Sequence, residues 1–278
     1  MSENSEPGRG KTIRALDLET NYHEQGEGAP VVLLHGSGPG VSAWTNWKRV
    51  IPELARDFRV IAPDMAGFGY TERKPDLTYD IKLWGKHLLA IFDALGIEKA
   101  NVVGNSFGGS LALATAARFP ERFERLVLMG TPCDKFMMTD GLKAGWNYTP
   151  SRENMRATMA HFPYDPSVIT DELVEDRYQA SLIPGAQEGL RKLLVEPNPD
   201  GDTPLSGMPE HVAAKIEHPT LVLHGRDDKV IPVEMGLRLG MNMPNAEFHM
   251  FGKCGHWVQA ERPEQFIALV RRHLGAAA

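Results

Sequence analysis

The stretch Asn101-Val102-Val103-Gly104-Asn105-Ser106-Phe107-Gly108-Gly109 decides the fold that we predict for this chain of 278 residues. It begins with a short β-rich run, and the small, apolar residues that follow predict a helix from Phe107 to Phe119, which Pro120 ends. A glycine-flanked serine between a strand and a helix is typical of a nucleophile elbow, a tight turn that exposes the serine oxygen at the end of a sheet. The same pattern also arises by chance as a glycine-rich turn whose serine has no catalytic role, so its interpretation depends on the rest of the chain.

Other short β-rich runs alternate with helical patterns along the chain. Most are apolar on both faces, as expected of strands buried between two layers of helices. These runs are Val31–Leu34, Arg59–Ala62, Asn101–Val103, Leu126–Met129, Leu221–Leu223 and Phe248–Phe251. Asp80 is a candidate N-cap for a helix that ends at Gly96, and Pro263 to Leu274 predicts a last helix. The alternation predicts an α/β fold with a parallel sheet, preceded by an antiparallel hairpin at Thr12–Asp17 and Asn21–Glu24.

The alternation is interrupted once, between a strand that ends near Thr131 and the next clear strand at Thr220. The intervening stretch has helical patterns such as Asp171–Ala180 and no convincing β-run, and a structureless loop of this length is improbable. We therefore predict an inserted helical cap at residues 133–209 on a core formed by residues 12–132 and 210–278. Residues 1–11 are polar and are predicted to be disordered.

The composition argues against several classes of function. The net charge is −6 and no basic patch is present, so we expect no nucleic-acid partner. No apolar run is long enough to span a membrane and no secretory signal is recognisable, so we expect no membrane partner and a cytoplasmic location. The two cysteines, Cys133 and Cys254, are far apart and fit a reducing compartment. His218, His224 and His249 lack metal-ligand spacing, and no dinucleotide or Walker A motif is present, so we expect no metal and no cofactor.

Two further motifs supply partners for Ser106. Asp228 ends the sequence GRDD at residues 225–228, just after a predicted strand, and His256 lies in a loop after the last strand. In this order, His256 would deprotonate Ser106 and later protonate the leaving carbon, while Asp228 would fix the tautomer of His256. The alternatives are a surface-loop histidine and a solvated turn carboxylate. Asp227 is the rival acid, but it comes one residue too early.

The sequence HGSGPG at residues 35–40 follows the predicted strand Val31–Leu34. A loop of this kind supplies one backbone N–H of an oxyanion hole, and the residue after the nucleophile supplies the other. We assign these two donors to Ser37 and Phe107. His35 is expected to shape the turn and is left out of the triad.

Together, these motifs resemble those of the meta-cleavage product hydrolases, which have the α/β-hydrolase fold. The resemblance runs from about Val31 to the carboxyl terminus and is weaker in the cap. Its motifs are HGSGPGVSAWTNW at residues 35–47, APDMAGFGYT at 62–71, GNSFGG at 104–109, GRDD at 225–228 and KCGHW at 253–257. It implies a mostly parallel eight-stranded sheet flanked by helices, with an inserted cap. It also implies a serine hydrolase that cleaves a carbon–carbon bond in 2-hydroxy-6-oxohexa-2,4-dienoates, the ring-fission products of aromatic degradation, to give 2-hydroxypenta-2,4-dienoate and a carboxylic acid.

The resemblance further implies six substrate-binding residues: Gly36, Gly38, Asn46, Asn105, Arg177 and Trp257. Arg177 matches a cap arginine, and its guanidinium suits the carboxylate of the dienoate; the alternative is an exposed arginine paired with a nearby acid. Asn46 and Asn105 match residues that contact the polar end of the dienoate, with a loop-stabilising amide and a turn former as alternatives. Trp257 resembles a residue of the pocket wall and is equally explained as a partly buried aromatic.

The group on carbon 6 divides this family, and Ser37 and Phe107 are typical of members that act on a hydrogen or a small alkyl group. We therefore expect 2-hydroxymuconate semialdehyde or a 6-alkyl analogue as the substrate, and the resemblance implies a homo-oligomer. A serine esterase or acyl hydrolase is one alternative, and it would not need Arg177, Asn46 or Asn105 to face the ligand. A slow-turnover ligand receptor is another. Haloalkane dehalogenases and epoxide hydrolases are disfavoured, because both need an aspartate at position 106.

Overall fold

The computed structural model describes residues 8–276, and this part of the chain forms ten strands and twelve α-helices. The strands are β1 (Lys11–Ala15), β2 (Leu18–Gln25), β3 (Pro30–Leu34), β4 (Arg59–Pro63), β5 (Ala100–Asn105), β6 (Phe123–Met129), β7 (Lys135–Met137), β8 (Pro204–Ser206), β9 (Thr220–Gly225) and β10 (Ala246–Phe251). The helices are α1 (Ala43–Trp47), α2 (Ile51–Leu54), α3 (Ile81–Ala94), α4 (Phe107–Ala116), α5 (Asp140–Trp146), α6 (Arg152–Met159), α7 (Asp171–Ser181), α8 (Ala186–Leu193), α9 (Glu210–Ala213), α10 (Val233–Asn242), α11 (Val258–Glu261) and α12 (Pro263–Leu274).

Eight of the strands form one sheet in the order β1-β2-β4-β3-β5-β6-β9-β10. β2 pairs antiparallel with both β1 and β4, whereas all the other neighbouring pairs are parallel. The predicted mostly parallel, eight-stranded sheet is therefore confirmed. Because β3, β5, β9 and β10 run in the same direction, the loops that follow them lie at one edge of the sheet, where ligands bind in open α/β sheets.

Apolar clusters cover both faces of this sheet. Val102 points into one cluster with Leu88 of α3, and its neighbour Val103 points into the other with Trp47 of α1 and Phe266 of α12. Successive side chains of a strand point to opposite faces, so a strand that is apolar throughout contributes to both clusters. The predicted arrangement of a sheet flanked by helices on both sides follows from this pattern.

The helix ends show where local sequence signals held and where they did not. The carboxylate of Asp80 accepts a hydrogen bond of 2.7 Å from the backbone N–H of Leu83, so the predicted N-cap of α3 is confirmed. The helix predicted to reach Phe119 ends at Ala116, and Pro120 begins a separate 3-10 turn. The proline therefore marks the start of the next element, four residues after the last residue of the helix.

The amino-terminal hairpin is shifted from its predicted bounds. β1 begins at Lys11, and Leu16 and Asp17 form the turn to β2 with φ angles of 49° and 59°, so Asp17 is not part of a strand. The backbone N–H of Gly10 donates a hydrogen bond of 2.8 Å to the side chain of Asn21. The prediction of disorder for residues 1–11 is therefore wrong at its carboxyl end, and residues 1–7 lie outside the described part of the chain.

The segment from β7 to β8 holds α5, α6, α7 and α8, and α7 lies within one residue of the predicted helix at Asp171–Ala180. The sequence did not predict the short antiparallel pair of β7 and β8, in which Lys135 lies opposite Ser206. Its strands are three residues long and lie at the two ends of the segment, so no local pattern marks them. They hold the entry and exit of the helical segment side by side.

The helical segment packs on the loops at the edge of the sheet. Its apolar side chains, among them Met155, Met159 and Phe162, form one buried cluster with Ile231 and Trp257, which follow β9 and β10. The segment therefore lies over the part of the molecule that holds the predicted triad. Every helix within residues 8–276 is too short or too polar to cross a membrane.

Candidate active site

Ser106 lies in the turn between β5 and α4 in an unusual backbone conformation. Its φ and ψ angles are 53° and −110°, and its backbone N–H donates to the carbonyl of Met129 at 2.7 Å. A Cβ atom on Gly104 would lie 2.5 Å from the backbone nitrogen of Gly109, so the close approach of strand and helix requires glycine here. The structure thus has the strand–turn–helix geometry that the sequence motif predicts.

Asp228 and His256 are brought into direct contact. The Nδ1 atom of His256 lies 2.7 Å from Oδ2 of Asp228, and both side chains are almost completely buried. The other carboxylate oxygen, Oδ1, accepts hydrogen bonds from the backbone N–H groups of Val230 and Ile231 at 2.8 and 2.9 Å. The carboxylate therefore fixes the tautomer of His256 with the proton on Nδ1, which leaves Nε2 free to accept a proton.

His224 is a second histidine at this carboxylate, and the sequence analysis gave it no role. Its Nε2 atom lies 2.9 Å from the carbonyl of Ile231 and 3.3 Å from Oδ2 of Asp228. Burial alone would raise the pKa of Asp228, but the charge of His256 and the hydrogen bonds from His224 and His256 outweigh it and lower the pKa well below its usual range. Asp228 is therefore ionised at every pH at which the site would operate.

Ser106 and His256 both approach the end of β6. Ser106 is bonded to Met129, and a Cβ atom on the next residue, Gly130, would lie 2.8 Å from Cε1 of His256 and 3.5 Å from Oδ2 of Asp228. All three residues of the predicted triad therefore border the same two residues of the chain.

The two predicted oxyanion donors are the backbone N–H groups of Phe107, which follows Ser106, and of Ser37, in the loop after β3. Phe107 is the first residue of α4, so its backbone N–H has no acceptor within the helix and is available to an anion. The ring of Phe107 packs edge-on against Trp84, with the ring centroids 4.7 Å apart. Ser37 is half-exposed in the loop after β3. Phe107 would thus act through its backbone, while its side chain is part of an aromatic cluster.

His35 is held in one tautomer by two hydrogen bonds. Its Nε2 atom accepts from the backbone N–H of Met65 at 3.0 Å, so the proton is on Nδ1, which donates to the carbonyl of Gly36 at 2.7 Å. Burial lowers the pKa of His35, so the ring is neutral. Both nitrogens are engaged in shaping the loop, in agreement with the expectation that kept His35 out of the triad.

Arg177 is buried, with a relative exposure of 6%, and none of the carboxylates in residues 8–276 forms an ion pair with it. Its Nε atom is buried without a hydrogen-bond partner, and its guanidinium lies over the rings of Trp257 and Phe162, 5.4 and 5.9 Å from their centroids. Burial lowers the pKa of Arg177 to about 10, so the group stays cationic at neutral pH. The alternative of an exposed arginine paired with a neighbouring acid therefore does not hold.

The two asparagines approach the loop after β3. The side-chain oxygen of Asn46 accepts from the backbone N–H of Gly36 at 3.1 Å, while its amide nitrogen is buried without a partner. The side chain of Asn105 donates to the carbonyl of Met129 at 3.4 Å, and its oxygen would lie 2.9 Å from a Cβ atom on Gly36. A Cβ atom on Gly38 would lie 3.9 Å from Nη2 of Arg177. The glycines thus let the loop pass close to the polar side chains.

One cavity brings three of the six predicted binding residues together with a residue that the sequence did not mark, whereas Gly36, Gly38 and Asn105 are not part of its wall. Its wall includes Asn46, Arg177, Trp257 and Gln259, with apolar side chains such as Leu173. Gln259 is 6% exposed, and its Oε1 atom is buried without a hydrogen-bond partner. No motif marks Gln259, because only the packing of α11 turns it into this cavity.

The predicted nucleophile lies outside this cavity. Asn46, which is part of the wall, and Asn105, which precedes Ser106, both approach Gly36. No group of three or more His, Cys, Asp or Glu residues in the described chain is placed to hold a metal ion. The described chain therefore offers a serine–histidine–aspartate group and a cavity with unsatisfied donors on Asn46 and Arg177 and an unsatisfied acceptor on Gln259. Lys48 and Arg49 also line this cavity, so Arg177 is one of its three cations.

Comparisons with known proteins find close relatives. Residues 29–167 match the model of the alpha/beta hydrolase fold family. The chain is 50% identical over 267 residues, 96% of each chain, to a 2-hydroxy-6-oxo-2,4-heptadienoate hydrolase of Pseudomonas putida. It is 46% identical over 271 residues, 98% of this chain and 95% of the relative, to a 2-hydroxymuconate semialdehyde hydrolase of a Pseudomonas species. Among solved structures, a meta-cleavage product hydrolase from Pseudomonas fluorescens IP01, a mutant complexed with acetates, superposes with a TM-score of 0.89 at 46% identity, covering 97% of this chain and 99% of that one.

Proposed function

This chain belongs to the meta-cleavage product hydrolases of the α/β-hydrolase superfamily, and we propose that it hydrolyses the bond between carbons 5 and 6 of a 2-hydroxy-6-oxohexa-2,4-dienoate. One observation carries the choice of an anionic substrate. Arg177 is a buried cation without a carboxylate partner, and it faces a cavity in which the amide nitrogen of Asn46 is also unsatisfied. A buried charge is costly unless it is paired, so the cavity is suited to a carboxylate ligand.

The reaction that we propose begins with binding and ketonisation. The carboxylate of the dienoate would pair with the guanidinium of Arg177 and with the amide of Asn46, and Asn105 would contact the adjoining oxygen. The proton of the 2-hydroxyl group is lost and a proton is added at carbon 5, which gives the 2,6-dioxo tautomer. Carbon 6 is then an ordinary ketone or aldehyde, open to attack.

Cleavage follows the triad chemistry that the contact of Asp228 with His256 supports. His256 takes the proton of Ser106 as the serine oxygen attacks carbon 6, and the backbone N–H groups of Ser37 and Phe107 stabilise the oxyanion. The bond between carbons 5 and 6 then breaks, its electron pair enters the conjugated system, and His256 returns its proton to the leaving dienolate. Water, deprotonated by His256, hydrolyses the acyl-serine and releases the carboxylic acid.

We propose a hydrogen or a small alkyl group on carbon 6. Two close relatives bear names that correspond to a methyl group and a hydrogen at this position, 2-hydroxy-6-oxo-2,4-heptadienoate hydrolase and 2-hydroxymuconate semialdehyde hydrolase. The residues Ser37 and Phe107 favour the same choice, because they are typical of relatives that act on such substrates.

The remaining parts of the proposal concern the organisation of the protein. We assign residues 12–132 and 210–278 to the core and residues 133–209 to a cap that covers the site. A homo-oligomer is proposed from the family resemblance, and light scattering of the purified protein tests it. A cytoplasmic location is supported by two cysteines that are both free and buried, and cell fractionation tests it.

A chromophore assay tests the proposed reaction. Purified protein is mixed with yellow dienoates that carry hydrogen, methyl or phenyl on carbon 6, and the loss of visible absorbance is followed. We expect rapid bleaching with hydrogen and methyl and slower bleaching with phenyl. Ser106→Ala should lower the rate by at least about a thousandfold.

The same assay separates the competing functions. An esterase would leave the dienoates yellow and hydrolyse activated esters rapidly. A ligand receptor would bind a dienoate and turn over no more than about one equivalent. Either result would overturn the proposed carbon–carbon hydrolysis.

A further inference from the structure

Glu261, at the end of α11, is a buried carboxylate that plays no part in the reaction described above. Its relative exposure is 8%, and its Oε1 atom accepts a hydrogen bond of 2.8 Å from the backbone N–H of Gly255. Gly255 directly precedes His256 in the loop after β10. One carboxylate oxygen of Glu261 is thus bonded to the loop that carries the proposed general base.

The other oxygen reaches the inserted helical segment. Oε2 of Glu261 accepts from the backbone N–H groups of Tyr164 and Asp165 at 2.8 and 3.2 Å. Both residues lie in the turn between α6 and α7, which belongs to the proposed cap. A single side chain therefore bonds the histidine loop on one side and the cap on the other.

The backbone of the same two segments is in contact beside this carboxylate. The N–H of His256 donates to the carbonyl of Phe162 at 2.7 Å. A Cβ atom on Gly255 would lie 2.4 Å from that carbonyl oxygen and 2.6 Å from the backbone nitrogen of Tyr164. The turn at residues 162–165 is therefore seated directly against the histidine loop, with no room for a side chain between them.

We propose that Glu261 is a positioning residue that couples the contact of the cap with the histidine loop to the correct placement of His256. When its carboxylate is bonded on both sides, the turn at residues 162–165 holds the histidine loop in place, and the imidazole reaches Ser106 with Asp228 behind it. When the turn lifts, Gly255 loses its partner and His256 is released. Full activity therefore requires a seated cap, which also excludes water from the substrate.

The chemistry of the group explains why a carboxylate is used. Three backbone N–H donors converge on two oxygens, and only an ionised carboxylate accepts on both sides at once. Burial raises the pKa of Glu261, so the hydrogen bonds on both sides have to offset its desolvation. The glutamine of a Glu261→Gln variant has the same shape but presents an NH₂ group to one of the two segments.

The test uses Glu261→Gln in the full-length protein, with Glu264→Gln as the matched control, because Glu264 is an exposed glutamate on the neighbouring helix α12. The kinetic test of this inference rests on the proposed function, because kcat and KM are measured with a dienoate. We expect Glu261→Gln to lower kcat about ten- to a hundredfold with a smaller change in KM, because misplacing a catalytic group by about 1 Å has an effect of this size. Glu264→Gln should match the parent protein in both constants.

A second readout does not depend on any substrate. Cys254 and Cys133 are the only cysteines of the chain, and both are completely buried. Cys254 directly precedes Gly255, whereas Cys133 lies beside Met208 at the base of the helical segment. Because Oε1 of Glu261 lies 3.9 Å from the Sγ atom of Cys254 and helps to raise the pKa of that thiol, the labelling test uses Glu261→Asp, which keeps the charge but is too short to bond both segments. We expect a thiol reagent to label Cys254 at least about fivefold faster in Glu261→Asp than in the parent protein, with Cys133 labelled at the parent rate; mass spectrometry of the peptides measures both.

Each outcome has a distinct meaning. Faster labelling of both cysteines, together with a lower melting temperature, would show a general structural role and overturn the inference. Unchanged labelling of Cys254 with unchanged kcat would overturn it as well. If the dienoates are not substrates, the labelling result still decides between release of the histidine loop and no release, so failure of the proposed function is distinguishable from failure of this inference.

Discussion

His256 is bonded through Nδ1 to Oδ2 of Asp228 at 2.7 Å, while the second oxygen of that carboxylate is held by the backbone N–H groups of Val230 and Ile231. The aspartate is therefore anchored independently of the histidine that it orients. A ligand or a cap movement can shift the imidazole without releasing the carboxylate. The first prediction follows from this arrangement.

Asp228→Asn should lower kcat by about 10³- to 10⁴-fold, because an amide no longer fixes the productive tautomer of His256 or stabilises its charged form. The measurement is steady-state bleaching of a 6-methyl dienoate. Asp227→Asn is the matched control, since Asp227 is 29% exposed and its ion pair is with Arg226 at the surface. Equal losses in the two variants would contradict the assignment of Asp228.

Arg177→Met should raise KM for the dienoate about ten- to a hundredfold, with a smaller effect on kcat, because a charge-assisted hydrogen bond contributes about 1.5–3 kcal/mol. Arg152→Met is the control, because Arg152 pairs with Glu175 on the surface of the same segment and should leave KM unchanged. An activated uncharged ester should be hydrolysed equally well by Arg177→Met and the parent protein. A dienoate KM that is insensitive to loss of Arg177 would refute its role.

Gln259→Leu should raise KM about three- to tenfold while leaving the melting temperature unchanged or higher. The Oε1 atom of Gln259 is buried without a partner in the free protein, so removing it relieves a desolvation cost, whereas the bound 2-hydroxyl group of the substrate would lose an acceptor. Calorimetry and kinetics on one preparation measure both effects. Gln265→Leu, at an exposed position, is the control. An unchanged KM would show that Gln259 does not face the substrate.

His87 predicts a pH dependence of stability. It is completely buried between Thr20 and Ala66, and burial lowers its pKa from 6.5 to about 4. Its contribution to stability is therefore fully present above pH 6.5 and is lost as the pH falls towards 4. This histidine alone should lower the free energy of unfolding by about 2 kcal/mol between pH 7 and pH 5.

Urea unfolding at these two pH values measures this effect. The difference in the free energy of unfolding between pH 7 and pH 5 should be smaller by about 2 kcal/mol in His87→Gln. It should be unchanged in the control His211→Gln, because His211 is exposed. If the free energy of unfolding changes equally with pH in the parent protein and in His87→Gln, His87 does not bind a proton on unfolding between pH 7 and pH 5.

Local sequence signals were sufficient for the sheet and for the contact between Asp228 and His256. The strand-to-helix turn at Ser106 is specified by adjacent glycines, and the parallel direction of most strands follows from the alternation of strands and helices, so both can be predicted without tertiary information. Arg177 was placed only through family resemblance. The sequence does not predict that Arg177 is buried without a counter-ion, because the carboxylates on its own helix could equally have paired with it.

Other features depend on packing alone. Glu261 precedes an arginine and a helix-starting proline, which is the pattern of an exposed helix end, yet it is buried between two loops. Gln259 has no local signal that separates it from Gln265. The pair of β7 and β8 joins two three-residue strands from distant parts of the chain, and such contacts leave no periodicity to detect.

The backbone of Ser106, with φ at 53°, has a consequence for how the protein would fare under selection. A non-glycine residue in this region costs about 1–3 kcal/mol of stability, a cost that glycine largely avoids. An inactive Ser106→Gly chain should consequently be the more robust one. In a library selected for heat resistance alone, Ser106 should be among the first residues to be replaced, and catalytic activity would be lost with it.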